Sequence, residues 1–331
     1  DDFFASGGHS LLAIEMMFKI EKQFNVKLPL SSLFSNSNIT SLAKLLETGN
    51  VSKWKYLVPI QAKGNKPPLY IVHGLGLEVM VFKDIAKYIE ADQPIIGVQA
   101  MGLSGNEEPL KTVEEISKVY LDEILAHNPN GPYHIAGFSA GFILAYELAQ
   151  QLQKNGKNIA SLINFDFALE TVVHQTQVKR NLKTKLSEFL PRQKHVIKSF
   201  LAFPEIEWKY QKTYFKLSVE GFLRKLGFKI DDGDPPSMDE MFRIIDLYRL
   251  AMSNYEFKPY HGNMDILVSL IKTYYLKDPH TLGWCPLVNG EIRTYPVDGQ
   301  HDDMIIGEYA KGFTKSLQTI LDLNNKKYLA K

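Results

Sequence analysis

Residues Tyr133–Gly141, which read YHIAGFSAG, decide the fold class and carry the strongest chemical signal in the chain. An apolar run leads into a Gly-x-Ser-x-Gly pattern formed by Gly137, Ser139 and Gly141. A serine in a sharp strand-to-helix turn needs small residues two positions before and after it, because strand and helix pass closely there. Its hydroxyl then lies at a helix N-terminus, where backbone N–H groups favour developing negative charge. The stretch therefore predicts a strand, a nucleophilic Ser139 and a helix that begins at Ala140.

Short apolar runs alternate with amphipathic helices from residue 69 onward. The predicted strands are Leu69–Val72, Ile95–Gln99, Tyr133–Gly137, Ser161–Phe165, Ile266–Leu270 and Ile292–Val297. The predicted helices between them include Val81–Ile89, Val113–Ala126 and Ala140–Gln153. Near-continuous apolar strands are typical of a sheet covered on both faces. The repeated strand–helix order predicts a doubly wound α/β domain.

Composition shifts divide the rest of the chain. Residues 1–49 contain short helical patterns that end at Gly49, a helix stop, and residues 50–68 are rich in Lys, Pro and Gly, as in a linker. Only helical patterns occur at about 171–262, and such an insertion usually caps the carboxyl ends of the strands. We expect a small all-helical domain at 1–49, a linker at 50–68, and an α/β domain at 69–331 with a helical lid at about 171–262.

Overall composition excludes several classes of protein. The 331 residues suggest two or three domains, and 38 basic against 37 acidic residues leave a net charge of +1, which gives no general attraction to nucleic acid. The single cysteine, Cys285, excludes an internal disulfide and a cysteine-rich metal site, and fits the cytoplasm. No apolar run approaches the ~18 residues that suggest a membrane helix. The start at Asp1-Asp2 reads as a cut from a longer polypeptide.

A serine nucleophile needs a general base, and in this type of fold serine, acid and histidine follow one another along the chain. His301 is the preferred base because it follows the last predicted strand on a glycine-containing loop. The other histidines after the serine, which we rank lower as lid or loop residues, are His174, His195, His261 and His280. For the acid, Asp166 ends an apolar strand directly and is preferred over Asp278, whose alternative role is to cap a turn.

Two backbone N–H groups are expected to form the oxyanion hole. One belongs to Ala140, after the nucleophile, and the other to the loop after strand Leu69–Val72. In that loop we choose Leu75, with Gly74 next, because the glycines on either side of Leu75 allow close approach of the backbone. His73 is expected to shape the loop rather than to react.

The opening segment, residues 2–11 with the sequence DFFASGGHSL, resembles the peptidyl carrier domains of nonribosomal peptide synthetases. The resemblance implies a covalent 4′-phosphopantetheine on Ser10, at the start of an amphipathic helix, where a serine also serves as an ordinary N-cap. It also implies that the first of four carrier helices would precede Asp1, so that the carrier is truncated.

A carrier joined to a serine hydrolase with a helical insert resembles the terminal carrier–thioesterase pair of a peptide synthetase, a type I thioesterase of the α/β-hydrolase class. This resemblance implies a Ser139–Asp166–His301 triad that releases an acyl or peptidyl chain by hydrolysis or cyclisation. The implied partners are upstream adenylation and condensation domains, a phosphopantetheinyl transferase and the acyl or peptidyl substrate. The alternatives are a stand-alone esterase or lipase and a non-catalytic docking scaffold.

The helical insertion has a charge asymmetry and many aromatic residues. Residues 171–229 hold 13 Lys and Arg against 4 acids, a local excess of +9. The excess indicates either solvated helix faces or steering of a phosphate or an acidic carrier, for which we single out Lys209, Lys212 and Lys216. The aromatic side chains either line an acyl channel or form the core of the lid: Phe200, Phe203, Trp208, Tyr210, Tyr214 and Phe215.

Overall fold

A computed structural model describes residues 1–3, 6–8, 10–26, 28, 32–49, 54–103, 107–170, 182–206, 208, 212, 236–272 and 274–329. Its strands are β1 (Leu57–Gln61), β2 (Leu69–Val72), β3 (Ile95–Val98), β4 (Tyr133–Phe138), β5 (Ile159–Phe165), β6 (Met264–Ser269) and β7 (Ile292–Val297). Its helices are α1 (Ser10–Phe24), α2 (Ser32–Ser35), α3 (Ile39–Thr48), α4 (Lys83–Ala86), α5 (Val113–His127), α6 (Phe142–Lys154), α7 (Leu182–Ala202), α8 (Pro236–Ser253) and α9 (Tyr309–Leu329).

The strands form one sheet in the order β1-β3-β2-β4-β5-β6-β7. Every neighbouring pair from β3 to β7 is parallel, and β1 alone runs antiparallel to its neighbour β3. From β2 the chain adds β3 on one side of the sheet and β4 to β7 in turn on the other. Helices connect these strands except β6 and β7, between which the described residues hold one short 3-10 turn, Cys285–Leu287. The predicted doubly wound α/β fold is confirmed, and all six predicted strands are present with ends shifted by at most two residues.

Strand β1 corrects the predicted linker. Leu57–Gln61 lies within residues 50–68 but belongs to the sheet, where Leu57 pairs with Val98. Pro59 is compatible with this strand because β1 is at the edge of the sheet, where a missing N–H donor leaves no partner unbonded. The lysines, prolines and glycine around the strand concealed it in the sequence.

Two apolar layers cover the two faces of the sheet. Along β2, Tyr70 and Val72 face the layer that contains α5, α6 and α8, whereas Leu69 and Ile71 face the layer that contains α4 and α9. All four side chains are fully buried. This explains the continuous apolar run: alternate residues of a strand point to opposite faces, and both faces are covered here.

The N-terminal helices pack around a third apolar cluster. It contains buried side chains of α1, α2 and α3, and also Met80 from the segment that follows β2. Met80 is only 2% exposed, so the α/β domain contributes directly to the core of the N-terminal segment. The third cluster therefore joins the two parts of the chain through van der Waals contact.

Two long helices, α7 and α8, lie in the predicted lid. Helix α8 packs on the carboxyl end of the sheet, where Tyr248 is fully buried against His73, the residue directly after β2. In α7, His195 Nε2 donates a hydrogen bond to the carbonyl oxygen of Lys272, just beyond β6. Among the described residues, no helix is long and apolar enough to cross a membrane.

Candidate active site

The turn between β4 and α6 has the geometry that the Gly-x-Ser-x-Gly pattern predicts. Ser139 has a φ of +53°, an unfavourable conformation for a residue with a side chain, and it begins a single 3-10 turn that ends at Gly141. Helix α6 therefore begins at Phe142, two residues later than predicted. A Cβ on Gly137 would lie 2.4 Å from the Cα of Phe142, so strand and helix pass too closely for a larger residue.

Gly141 faces an even tighter contact, and its replacement is the first testable prediction. A Cβ there would lie 1.7 Å from the carbonyl oxygen of His73, which is backbone and cannot rotate away. Gly141→Ala should destabilise the fold by about 3 kcal/mol or more, since the loop after β2 or the turn must move. Thermal unfolding measures the loss.

Gly312 provides a matched control for that change. It lies in α9, and a Cβ there would meet no atom within 4 Å. Gly312→Ala should stabilise the protein by about 0.5–1 kcal/mol through helix propensity. Equal unfolding temperatures for the two alanine variants would contradict the close approach at Gly141.

Three predicted residues form a continuous hydrogen-bonded chain. His301 Nε2 lies 2.8 Å from Ser139 Oγ, and His301 Nδ1 lies 3.0 Å from Asp166 Oδ2. Because the carboxylate only accepts, Nδ1 carries the proton and Nε2 is left to accept from the serine hydroxyl. The Phe138 ring stacks on the imidazole at 5.3 Å with an interplanar angle of 13°, which fixes the orientation of the ring. The structure thus brings Ser139, His301 and Asp166 together.

Asp166 is surrounded by donors. It is 1% exposed, and besides His301 it accepts hydrogen bonds from the backbone N–H of Ser269 at 3.0 Å and from the Ser269 hydroxyl at 2.7 Å. Lys272 Nζ forms an ion pair with Asp166 Oδ1, the oxygen that also accepts from the Ser269 N–H, and donates to Ser269 Oγ at 2.8 Å. Burial alone would raise the pKa of Asp166, but the hydrogen bond from His301 and the charge of Lys272 hold it below its ordinary value. The carboxylate is therefore ionised and fixed in place.

The loop after β2 lies against the serine turn. Gly74 passes close to Phe138, whose carbonyl oxygen would be 3.3 Å from a Cβ on Gly74. Leu75 and Ala140 are both partly buried, and both pack against the larger apolar layer. The backbone segments that carry the two predicted oxyanion donors are thus neighbours.

The lower-ranked alternatives have other surroundings. Asp278 accepts hydrogen bonds from the backbone N–H groups of His280, Thr281 and Gly283. It therefore caps a turn, which is the alternative role predicted for it. His195 bonds to a backbone carbonyl, and His261 Nδ1 lies 3.1 Å from the side-chain amide of Asn289. In the part of the chain that the structure describes, none of these residues forms a hydrogen bond with Ser139.

Several predictions about the lid fall on residues that the structure does not describe: His174, Lys209, Lys216, Tyr210, Tyr214 and Phe215. Lys212, which is described, is exposed. Among the described aromatic residues, Phe200 is 37% exposed, Phe203 38% and Trp208 66%. These three side chains are therefore not fully packed into a lid core.

Two glycines precede Ser10 in the N-terminal segment. Gly7 has a φ of +93°, and a Cβ on Gly8 would lie 2.4 Å from the ring of Phe3, so both positions suit glycine. Ser10 is the first residue of α1. Ser10, the residue predicted to carry the phosphopantetheine, thus lies at the N-terminus of α1.

Comparison with known families identifies the two parts of the chain. Residues 67–320 match the model of the thioesterase domain, and residues 1–46 match that of the phosphopantetheine attachment site. The chain belongs to the thioesterase domain family. Its N-terminal segment is the attachment region for the phosphopantetheine cofactor, and the family carries hydrolase activity.

Individual relatives support the pairing of these two parts. A dimodular nonribosomal peptide synthase from Bacillus subtilis (strain 168) is 29% identical over 336 residues, which cover 98% of this chain and 13% of the relative. A four-domain nonribosomal peptide synthetase crystallised in its holo form aligns over 97% of this chain and 24% of its own, with a TM-score of 0.62 and 19% identity. The NocB thioesterase domain in complex with a fluorophosphonate nocardicin G analogue has a TM-score of 0.58 and 17% identity over 80% of this chain and 99% of its own.

The predicted carrier–thioesterase pairing is confirmed by these matches, as is the α/β-hydrolase class. The chain spans about an eighth of the length of the Bacillus relative. The sequence did not reveal Ser269 or Lys272 at the acid. A serine and a lysine after a strand are common, and nothing in their spacing shows that both reach Asp166.

Proposed function

We propose that this thioesterase releases an acyl or peptidyl chain from a thioester through an acyl-enzyme on Ser139. The observation that carries the proposal is the chain of hydrogen bonds from Ser139 Oγ through His301 to Asp166. It supplies a nucleophile, a general base and an ion that orients the base.

The acylation step begins when Ser139 Oγ attacks the carbonyl carbon of the thioester. The hydroxyl proton passes to His301 Nε2 while the new C–O bond forms, and Asp166 stabilises the resulting imidazolium. The negative charge moves onto the carbonyl oxygen, which the N–H groups of Ala140 and Leu75 stabilise. The C–S bond then breaks, the sulfur leaves, and His301 returns the proton to it.

The deacylation step repeats the same movements with a second nucleophile. Water, or an amine or hydroxyl of the chain itself, gives its proton to His301 and attacks the ester carbon. The C–O bond to Ser139 breaks and the serine regains its proton. Water yields the free acid, and an internal nucleophile yields a ring.

Ser10 would hold the phosphopantetheine, whose terminal thiol supplies the thioester when the group is bound. We further propose a carrier at 1–49 and a thioesterase domain that includes β1 (Leu57–Gln61) and continues to residue 331, so that the linker is shorter than the predicted 50–68. Its partners would be upstream adenylation and condensation domains and a phosphopantetheinyl transferase. A covalent carrier in the same chain raises the local concentration of substrate to about the millimolar range, so weak docking suffices.

Two experiments test this function. The protein is incubated with a panel of synthetic pantetheine thioesters and matched oxygen esters, and the products are identified by mass spectrometry. A thioesterase prefers the thioesters, whereas a general esterase turns over both; lack of turnover together with no fluorophosphonate labelling of Ser139 would indicate a docking scaffold. Separately, a phosphopantetheinyl transferase and coenzyme A should add the arm to the parent and not to Ser10→Ala.

Lys272 is expected to set the acid side of the pH profile. Its ammonium is buried beside Asp166 and forms an ion pair with that carboxylate, so its charge helps to lower the pKa of Asp166. Burial also lowers the pKa of Lys272, despite the attraction of Asp166. Lys272→Met removes this positive charge, so the pKa of Asp166 should rise, the carboxylate should lose its charge at a higher pH, and the acid limb of kcat/KM should move upward. We expect kcat/KM to fall roughly threefold to tenfold at pH values on that acid limb.

A matched control removes the lysine of an exposed lysine–aspartate pair. Lys118 and Asp122 pair on the exposed side of α5, and Lys118→Met should leave the profile unchanged. An acid limb that does not move in Lys272→Met, or that moves equally in both variants, would contradict this role for Lys272.

A further inference from the structure

A buried histidine holds the backbone unit that carries the second predicted oxyanion donor. His73 is fully buried, and its Nδ1 lies 2.7 Å from the carbonyl oxygen of Gly74. That carbonyl and the N–H of Leu75 belong to one planar peptide unit, so a bond that fixes the oxygen also fixes the direction of the N–H. Leu77 N–H donates to the same oxygen at 3.0 Å. The orientation of the Leu75 donor is thus set by two bonds on the far side of its peptide.

The protons of His73 can be assigned from its partners. Because the Gly74 carbonyl only accepts, Nδ1 carries the hydrogen, and burial lowers the pKa of His73 to about 4, so the ring is neutral. Its Nε2 must therefore accept, and the hydroxyl of Tyr120 lies 3.3 Å away as the donor. The imidazole therefore accepts a hydrogen bond from the Tyr120 hydroxyl and donates one to the Gly74 carbonyl.

The chain of donors continues to the lid. The Tyr120 oxygen accepts from the Met101 N–H at 3.0 Å, and the Tyr248 hydroxyl lies 2.8 Å from it as the remaining donor. Tyr120 and Tyr248 are both fully buried, and Tyr248 also lies edge-on to the His73 ring at 5.1 Å. Tyr248 belongs to α8, within the predicted lid. The Tyr248 hydroxyl also lies 3.4 Å from the carbonyl oxygen of Met101, so its shorter contact, with Tyr120, is the one that continues the chain of donors.

We propose that His73 is a positioning residue for the oxyanion hole and that the hydroxyls of Tyr120 and Tyr248 link its position to lid helix α8. The link carries no proton during the reaction; it holds the Leu75 N–H towards the developing oxyanion and strengthens it by polarising the peptide. Seating of α8 on the sheet would then complete the hole, and displacement of α8 would loosen it. This inference rests on the proposed function, because it assumes chemistry at Ser139.

The test compares an oxygen and a sulfur in the position that becomes negative. Each variant is assayed on a small thioester and on the dithioester with the same acyl chain. Sulfur is a weak hydrogen-bond acceptor, so the dithioester depends less on the oxyanion donors. The rate ratio, which is kcat/KM for the thioester divided by kcat/KM for the dithioester, therefore measures the contribution of the oxyanion donors rather than general folding or binding.

Two substitutions at one position separate the hydrogen bond from the packing. His73→Leu removes both ring nitrogens and should lower kcat on the thioester about tenfold to a hundredfold, with KM nearly unchanged and the rate ratio reduced to a similar degree. His73→Asn keeps an N–H donor close to the position of Nδ1 and should recover most of the ratio. Tyr248→Phe deletes one oxygen from the lid and should reduce the ratio by a few-fold.

A second buried histidine serves as the control. His134 is also fully buried, but it bonds to Ser161 and Asn325 near the amino end of β4. His134→Leu should lower stability and leave the rate ratio at its parental value. If His73→Leu does not fold, the outcome with Tyr248→Phe decides.

The proposal is overturned if folded His73→Leu keeps the parental ratio, if His134→Leu changes it equally, or if Tyr248→Phe has no effect. Failure of the proposed function has a different signature, since Ser139→Ala would then retain turnover. If Ser139→Ala is inactive and the His73 and Tyr248 variants keep the parental rate ratio, the positioning role is overturned and the proposed function is not.

Discussion

Ser139→Ala should reduce thioester turnover on the order of 10⁶-fold, to a level set by binding and the oxyanion donors alone. The variant lacks the oxygen that lies 2.8 Å from His301 Nε2, so no acyl-enzyme can form and the base has no proton to accept. A chain loaded as a thioester on the carrier should remain there. Release is followed by intact-protein mass spectrometry of the loaded protein and by assay of small thioesters.

Folding of this variant provides its own control. Ser139 has a φ of +53°, and alanine has the same Cβ constraint there, so the unfolding temperature should change little. Loading of the carrier by the transferase should also proceed as in the parent. Release at the parental rate from a folded, loaded Ser139→Ala would show that another group is the nucleophile.

Asp166→Asn should lower kcat on the order of 10⁴-fold while the protein keeps its fold. The carboxylate is surrounded by donors, namely the N–H and hydroxyl of Ser269, the Lys272 ammonium and His301 Nδ1. An asparagine amide has to present its NH₂ to one of them. With the amide towards His301, the imidazole carries its proton on Nε2 and can no longer accept the proton of Ser139.

Asp265→Asn is the matched control for that change. Asp265 is equally buried, but it pairs with Arg293 near the amino ends of β6 and β7, whereas Asp166 follows the carboxyl end of β5. Its replacement should reduce stability and leave kcat within a few-fold of the parent. A small kcat effect in Asp166→Asn, or equal losses in both variants, would remove Asp166 from the proposed mechanism.

The parts of this site that are local in sequence were predictable. The serine turn requires small residues at fixed spacing, and the clash of a Cβ on Gly141 with the His73 carbonyl explains that requirement. The acid and the base follow buried strands, and strand ends at one edge of a parallel sheet converge. The sequence therefore predicts that Ser139, Asp166 and His301 lie close together.

Contacts between distant segments were not predictable. Tyr120 and Tyr248 are separated by 128 positions and occur in helices whose apolar patterns explain both residues as core. Lys272 lies 106 positions after Asp166 in a loop without a regular pattern. Strand β1 was missed for a different reason: an edge strand is short, contains Pro59, and needs no alternating pattern to find its single neighbour.

The central claim concerns a covalent bond, and peptide mass spectrometry tests it most directly. The protein is mixed briefly with a pantetheine thioester, quenched in acid and digested, and the acyl mass is located on its peptide. The account predicts the adduct on the peptide that contains Ser139, and none on that peptide in Ser139→Ala. Turnover with the acyl group on a different residue, or an adduct that survives in Ser139→Ala, would contradict it.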